Sequence, residues 1–275
     1  MTTRRPTIGV FDSGFGGLTV LKALLELIPE ADYIYFGDTA RLPYGSKSIE
    51  TVGRYAQEAA HFLEAQGANF LVIACNTATA LALDRIAATS NVPVVGVVEP
   101  GAEAAASVSD SKKVVVIGTD ATVSSHAYRK ALQGRGVDAL EKACPLLVPL
   151  VEEGWIEHSV TEQVARIYLS EAFTDGFHDA DVLVLGCTHY PLLKTLLRQV
   201  APPNVRIVDS AESTARAVLR HMPDLLPADG DDTAERRAAP RIKFFATDSV
   251  EKFRRLGERF LGRPIEHVEH VDLKE

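Results

Sequence analysis

Along this chain, apolar runs of strand length alternate with stretches in which apolar residues recur three and four positions apart. Residues 7–11 form the first run, and Leu18, Leu21, Leu25 and Ile28 then mark one face of a helix. Residues 33–37 read as a second strand. Ile49, Val52, Ala56, Ala59 and Leu63 follow as a long helix closed by Gly67. A strand at 71–74 leads to a helical face of Thr79, Leu83, Ile86 and Ala87, and then to a strand at 92–98. A second round starts at Lys113 with a strand at 114–118 and a helix from Thr122 and Ser125 through Leu132. The segment 144–150 is apolar but carries Pro145 and Pro149, which suits an edge or crossover. Val160, Val164 and Ile167 mark the next helix, strands follow at 181–186 and 205–208, and a helix runs to His221. A late strand at 242–246 and a helix to about Phe260 complete the pattern. Such alternation predicts parallel sheets with helices on both faces.

Two stretches share one layout. Leu71-Val72-Ile73-Ala74-Cys75-Asn76-Thr77 and Leu183-Val184-Leu185-Gly186-Cys187-Thr188-His189 each run from apolar strand to small residue, to Cys, to polar residues that open a helix. A strand that ends where a helix begins puts the Cys at the carboxyl edge of a sheet, where open α/β folds bind ligands. The free N–H groups of a helix start also favour thiolate. The strand at 114–118 matches the opening one, with Thr119 standing where Asp12 stands. The expected fold is therefore α/β. It has two pseudo-symmetric lobes, each a mostly parallel sheet flanked by helices, with the active site in the cleft between them. Residues 1–98 and 208–275 would form the first lobe, and 99–207 the second. The polar, Pro- and Asp-rich stretch 223–241 reads as a mobile loop without a function.

Composition narrows the partners. The chain has 275 residues, 46% of them apolar and 24% charged, with a formal net charge of −8. That balance argues against a general nucleic-acid binder, which would show a basic face, and against an anionic membrane surface. It leaves room for a small anionic substrate. Three Cys without disulfide or zinc spacing suit a reducing cytoplasm. No run approaches the roughly 18 apolar residues of a membrane span, and the N-terminal apolar segment is too short for a signal peptide.

Each candidate residue has an ordinary reading beside a chemical one. A free Cys is commonly a small buried hydrophobe, and Cys144 fits that description. Cys75 and Cys187 differ because the same pattern surrounds both. The turn Asp12-Ser13-Gly14-Phe15-Gly16-Gly17 lets backbone N–H groups approach an anion but lacks the dinucleotide spacing G-x-G-x-x-G. Asp12 could cap a helix or orient a reacting group. Asn76 and Thr77 could cap a helix or hold a carboxylate. The loop with Pro43, Tyr44 and Gly45 could be a connection or a binding loop. Glu152 and Glu153 would ordinarily face solvent. His189, two residues past Cys187, becomes a proton partner if the two side chains meet.

These motifs together closely resemble the glutamate racemase family, within the cofactor-independent aspartate/glutamate racemase superfamily. The matching pieces are Phe11-Asp12-Ser13-Gly14-Phe15-Gly16-Gly17, Pro43-Tyr44-Gly45, Ala74-Cys75-Asn76-Thr77-Ala78, Gly118-Thr119, Pro149-Leu150-Val151-Glu152-Glu153-Gly154 and Gly186-Cys187-Thr188-His189-Tyr190-Pro191. They cover nearly the whole chain apart from 223–241, with no departure in the core motifs. The resemblance implies that Cys75 and Cys187 are the two acid/base residues, Cys187 acting on L-glutamate and Cys75 on D-glutamate. It places Asp12 beside the first thiol, and His189 and Glu152 beside the second. Asp12, Ser13, Tyr44, Gly45, Asn76, Thr77, Thr119, Thr122, Thr188 and His189 resemble substrate-contacting positions. The resemblance implies no cofactor, no metal, a homodimer, and D-glutamate made for peptidoglycan. Aspartate racemisation, or amino-acid binding without chemistry in a bilobal module, are the competing readings.

Overall fold

The computed structural model describes residues 5–174, 176–225 and 239–273 of the chain. Its strands are β1 (Thr7–Asp12), β2 (Asp32–Gly37), β3 (Phe70–Ile73), β4 (Val94–Gly96), β5 (Lys113–Gly118), β6 (Asp138–Ala143), β7 (Val182–Gly186), β8 (Arg206–Asp209), β9 (Ile242–Ala246) and β10 (Glu269–His270). Its helices are α1 (Leu18–Leu27), α2 (Ile49–Ala65), α3 (Asn76–Thr89), α4 (Val98–Val108), α5 (Asp120–Ser125), α6 (Ala127–Gln133), α7 (Leu147–Glu152), α8 (Ser159–Ala172), α9 (Lys194–Val200), α10 (Ser210–Leu225) and α11 (Val250–Leu261).

The strands fall into two sheets, and every pairing in both is parallel. The first sheet has the order β10-β9-β2-β1-β3-β4 and the second the order β6-β5-β7-β8. The late strand β9 returns to the first sheet along β2, from Tyr33↔Ile242 to Gly37↔Ala246. In each sheet the strand that comes first in the chain lies inside. β1 has β2 on one side and β3 on the other, and β5 has β6 and β7. Such a reversal of direction opens a crevice outside the carboxyl ends of the strands. Phe11 pairs with Ile73 and Gly118 with Gly186. Asp12 therefore stands near the level of Cys75, and Thr119 near the level of Cys187.

Helices cover both faces, which is why the strands read as continuous apolar runs rather than alternating ones. Every residue of β3 and β7 is buried. Helix α2 starts at Ser48, whose hydroxyl accepts the Thr51 N–H at 3.3 Å, and it buries Val52, Ala56, Ala59 and Leu63. Ile49, one of the periodic residues, is instead 61% exposed at its first turn. No helix among the described residues is long and apolar enough to cross a membrane.

Four stretches depart from the sequence pattern. The strand expected at 92–98 is only β4, and Val98 already begins α4. Pro100 sits in the first turn of α4, where a missing N–H costs nothing. The helix expected through Leu132 is two helices, α5 and α6, broken at His126 with φ 56°. Of the two readings of the apolar segment 144–150, the edge strand fails and the crossover holds, because it lies in the connection from β6 to β7. The edge strand is β6 just before it, and residues from Leu147 onward form α7 with Pro149 in the first turn. Helix α10 continues past His221 to Leu225, and residues 226–238 of the loop expected at 223–241 lie outside the described residues.

Candidate active site

Cys75 follows β3 and forms the N-cap of α3, where its Sγ accepts the Ala78 N–H at 3.4 Å. Its other polar neighbour is the Ser13 hydroxyl at 3.5 Å. Behind it lies Asp12, 1% exposed at the end of β1, one oxygen of which accepts the Gly14 N–H at 2.9 Å. Burial, and then the Asp12 carboxylate, push the Cys75 thiol up to about 12. This overturns the expectation that the helix start would favour thiolate here, because burial outweighs its N–H groups. Burial also raises Asp12, against the opposing pull of His189 and of backbone N–H groups.

Cys187 follows β7, but no α-helix starts there. A 3-10 turn, Tyr190–Leu193, comes first and α9 follows. The helix-start argument therefore does not reach Cys187. Its partner is the His189 ring, with Nδ1 3.9 Å from Sγ. Across that ring, Nε2 lies 3.4 Å from Glu152 Oε1, too poorly aligned for a hydrogen bond. Glu152 ends α7 and also meets Lys252 Nζ of α11 at 3.4 Å. Burial alone would pull the His189 imidazole down. Cys187 and Glu152, with the charge of Asp12, outweigh it and hold the imidazole up to about 10. Glu152 in turn is held below the usual carboxylate range: burial raises it, and His189 and Lys252 more than compensate.

The glycine turn after β1 serves this half of the site too. A Cβ on Gly16 would fall 2.3 Å from Thr188 Oγ1 and 2.6 Å from His189 Nδ1. Only a bare backbone lets the first sheet's loop lie against the second sheet's catalytic candidates. The rings of Phe15 and Phe260 flank His189 at 6.0 and 5.1 Å.

Both thiols line one cavity of about 420 Å³, and each is 6% exposed. Ser13, Tyr44, Gly45, Asn76, Thr77, Thr119, Glu152, Thr188 and His189 share its wall. Two of the sequence candidates stand behind that wall. Asp12 backs Cys75, and Thr122 closes a triangle of hydroxyls with Thr77 and Thr119, at 3.3 and 3.0 Å. The third side of that triangle, Thr77 to Thr119, measures 2.9 Å. Tyr44 is held by Asp38, a fully buried carboxylate that also takes Arg41 and Thr247. Sequence reasoning missed Asp38, Ser46, Asp120, Val148 and Lys252. The run Asp38-Thr39-Ala40-Arg41, one residue before Pro43, could have pointed to Asp38. Lys252 gave no local signal.

Four buried side-chain polar atoms among the described residues lack a hydrogen-bond partner, and three belong to this site: Asp12 Oδ1, Asn76 Nδ2 and His189 Nε2. Asp12 stands behind the wall and His189 Nε2 faces Glu152, so Asn76 Nδ2, on a residue that lines the cavity, is the unpaired atom that a polar ligand would complete. The arrangement offers two proton carriers on different walls and, between them, hydroxyl and amide groups suited to carboxylates. Among the described residues no group of three or more His, Cys, Asp or Glu is placed to hold a metal ion.

A family model described as Asp/Glu/Hydantoin racemase matches residues 8–218, and the chain belongs to that family. Its fold and relatives make it a cofactor-independent isomerase. Among curated relatives, the glutamate racemase of Koribacter versatilis is 60% identical, with 99% of each chain covered. Among solved structures, glutamate racemase isoform RacE1 of Bacillus anthracis superposes with a TM-score of 0.88 at 36% identity, over 98% of each chain. The glutamate racemase of Francisella tularensis, solved with D-glutamate, gives 0.86 at 35% identity, again over 98% of each chain.

Proposed function

We propose that this chain is a glutamate racemase that interconverts L- and D-glutamate with two thiols as its acid and base. The observation that carries the reading is that Cys75 and Cys187, from two separate sheets, line one cavity. Racemisation removes the α-proton from one face and returns a proton to the other, so carriers on two walls suffice without turning the substrate over. At any instant one sulfur holds a proton and the other does not. Cys75, kept as a thiol by burial and by Asp12, is ready to donate. Cys187 has a cationic partner in His189 for its charged form. On this reading Cys187 takes the α-proton of L-glutamate, and Cys75 protonates the opposite face. The reverse reaction starts after the two sulfurs have exchanged roles. Asn76, Thr77, Thr119 and Thr188, with the helix-start N–H groups, would stabilise charge building on the α-carboxylate. On the same reading, residues 1–98 with 208–275 and residues 99–207 act as two lobes about the cavity. A homodimer, a cytoplasmic location and a supply of D-glutamate to peptidoglycan belong to this reading through the family resemblance.

Polarimetry on L-glutamate without added cofactor is the test, with L-aspartate alongside. Optical rotation should decay to zero for glutamate, and deuterium from heavy water should appear at Cα of the enantiomer formed. Retained rotation with tight glutamate binding would instead support a binding module. Faster decay with aspartate would reassign the substrate.

A further inference from the structure

We propose that Tyr128 is a positioning residue whose hydroxyl fixes the Asn76 amide so that Nδ2 faces the cavity as a donor to the substrate carboxylate. The inference rests on the reading of the cavity as an amino-acid racemisation site. Tyr128 lies on α6 of the second half, fully buried, and its hydroxyl donates to Asn76 Oδ1 at 2.7 Å. Asn76 begins α3 of the first half, is 2% exposed and lines the cavity. Its Nδ2 has no partner in the protein. A buried donor left unpaired is costly unless something else accepts from it.

The phenol ring stands in a slot shaped by two glycines. A Cβ on Gly186 would meet ring atom Cε2 at 3.1 Å, and one on Gly101 would meet the hydroxyl oxygen at 3.2 Å. Those close walls hold the hydroxyl at one place. Burial keeps the phenol protonated well beyond the usual tyrosine range, so it has a hydrogen to give. A buried O–H needs an acceptor, and Oδ1 takes its hydrogen at 2.7 Å, while the Ser210 hydroxyl is the other hydrogen-bonding neighbour of the phenol. Turning the amide over would take that acceptor away. It would also set Oδ1 toward the cavity, where it would repel a carboxylate. Tyr128 therefore selects the one amide orientation that binds an anion, and it does so from the opposite half of the molecule.

The test is a double-mutant cycle on glutamate racemisation in both directions, with circular dichroism melts to confirm folding. Tyr128→Phe should lower kcat/KM by about tenfold, the size expected for losing an oriented hydrogen bond to a charged group. In an Asn76→Ala background the same change should have an effect of less than about twofold, because its only route is then gone. A Tyr128→Phe enzyme within about twofold of wild type would overturn the proposal, as would an undiminished tenfold loss in the Asn76→Ala background. A wild type inactive on both enantiomers would bring down the glutamate reading itself, and this proposal with it. If Tyr128→Phe does not fold, Asn76→Asp decides. That variant keeps an acceptor for Tyr128 and replaces Nδ2 with a charged oxygen, so its kcat/KM should fall at least about tenfold below that of Asn76→Ala. Equal activity of those two variants would overturn the assigned orientation.

Discussion

The two thiols stand at matching strand ends in unlike company. Cys75 caps a helix, touches the Ser13 hydroxyl and has a buried carboxylate behind it. Cys187 precedes only a 3-10 turn and faces an imidazole that a carboxylate and a lysine support in series. The repeated backbone supplies the shared position, and the neighbours supply unlike surroundings, a carboxylate behind Cys75 and an imidazole beside Cys187.

Removing either thiol breaks the comparison most severely. Cys75→Ala and Cys187→Ala should each cut racemisation by about 10³-fold or more, at the upper end of general acid–base contributions. The remaining thiol should still exchange the α-hydrogen of one enantiomer in heavy water. Cys75→Ala should exchange only L-glutamate and Cys187→Ala only D-glutamate, as followed by proton NMR. The reverse pattern would swap the two roles. His189→Asn comes next, with a loss of about 10²-fold on the Cys187 side. Enantiomers have equal free energy, so kcat/KM must fall equally in both directions. The asymmetry should appear as a larger drop in kcat from L-glutamate than from D-glutamate.

His189 also makes a pH prediction. Its folded pKa, about 10, lies above the ordinary value of 6.5. The stability it contributes is complete below pH 6.5 and is lost as pH rises through the folded value. Melts between those limits should show stability falling with pH, and His189→Asn should flatten the slope. An unchanged slope would remove His189 as its source. Lys252→Met should have the smallest effect. The lysine side chain is 48% exposed, so its pair with Glu152 is screened, and turnover should fall by no more than about fivefold. A loss as large as that of His189→Asn would mean that Lys252 touches the substrate.

Much of this was legible in the residues. The two strand–Cys motifs, the Asp12 turn and the Tyr44 loop all announce themselves within a few positions, because each is built by local chain geometry. What escaped was settled by contacts between distant parts of the chain. The edge strand β6, Asp-Ala-Leu-Glu-Lys-Ala, has one buried residue and no apolar run to show. Helix α4 was hidden because its first residue continues the apolar run of β4, so two periodicities merge. Tyr128 and Lys252 matter only through Asn76 and Glu152, which sit far away in sequence. The thiolate expectation at Cys75 failed for a similar reason. Helix-start N–H groups can be read from a sequence, but the burial that overrides them cannot.

The triangle of Thr77, Thr119 and Thr122 carries a consequence of its own. Three hydroxyls in a ring own three hydrogens, and a closed circuit uses all of them, running clockwise or counter-clockwise with nearly equal ease. An anion arriving at Thr77 or Thr119 must open that circuit to draw a hydrogen outward. These three hydroxyls therefore satisfy one another and become donors on demand, linking Thr77 of α3 to Thr119 at the cap of α5.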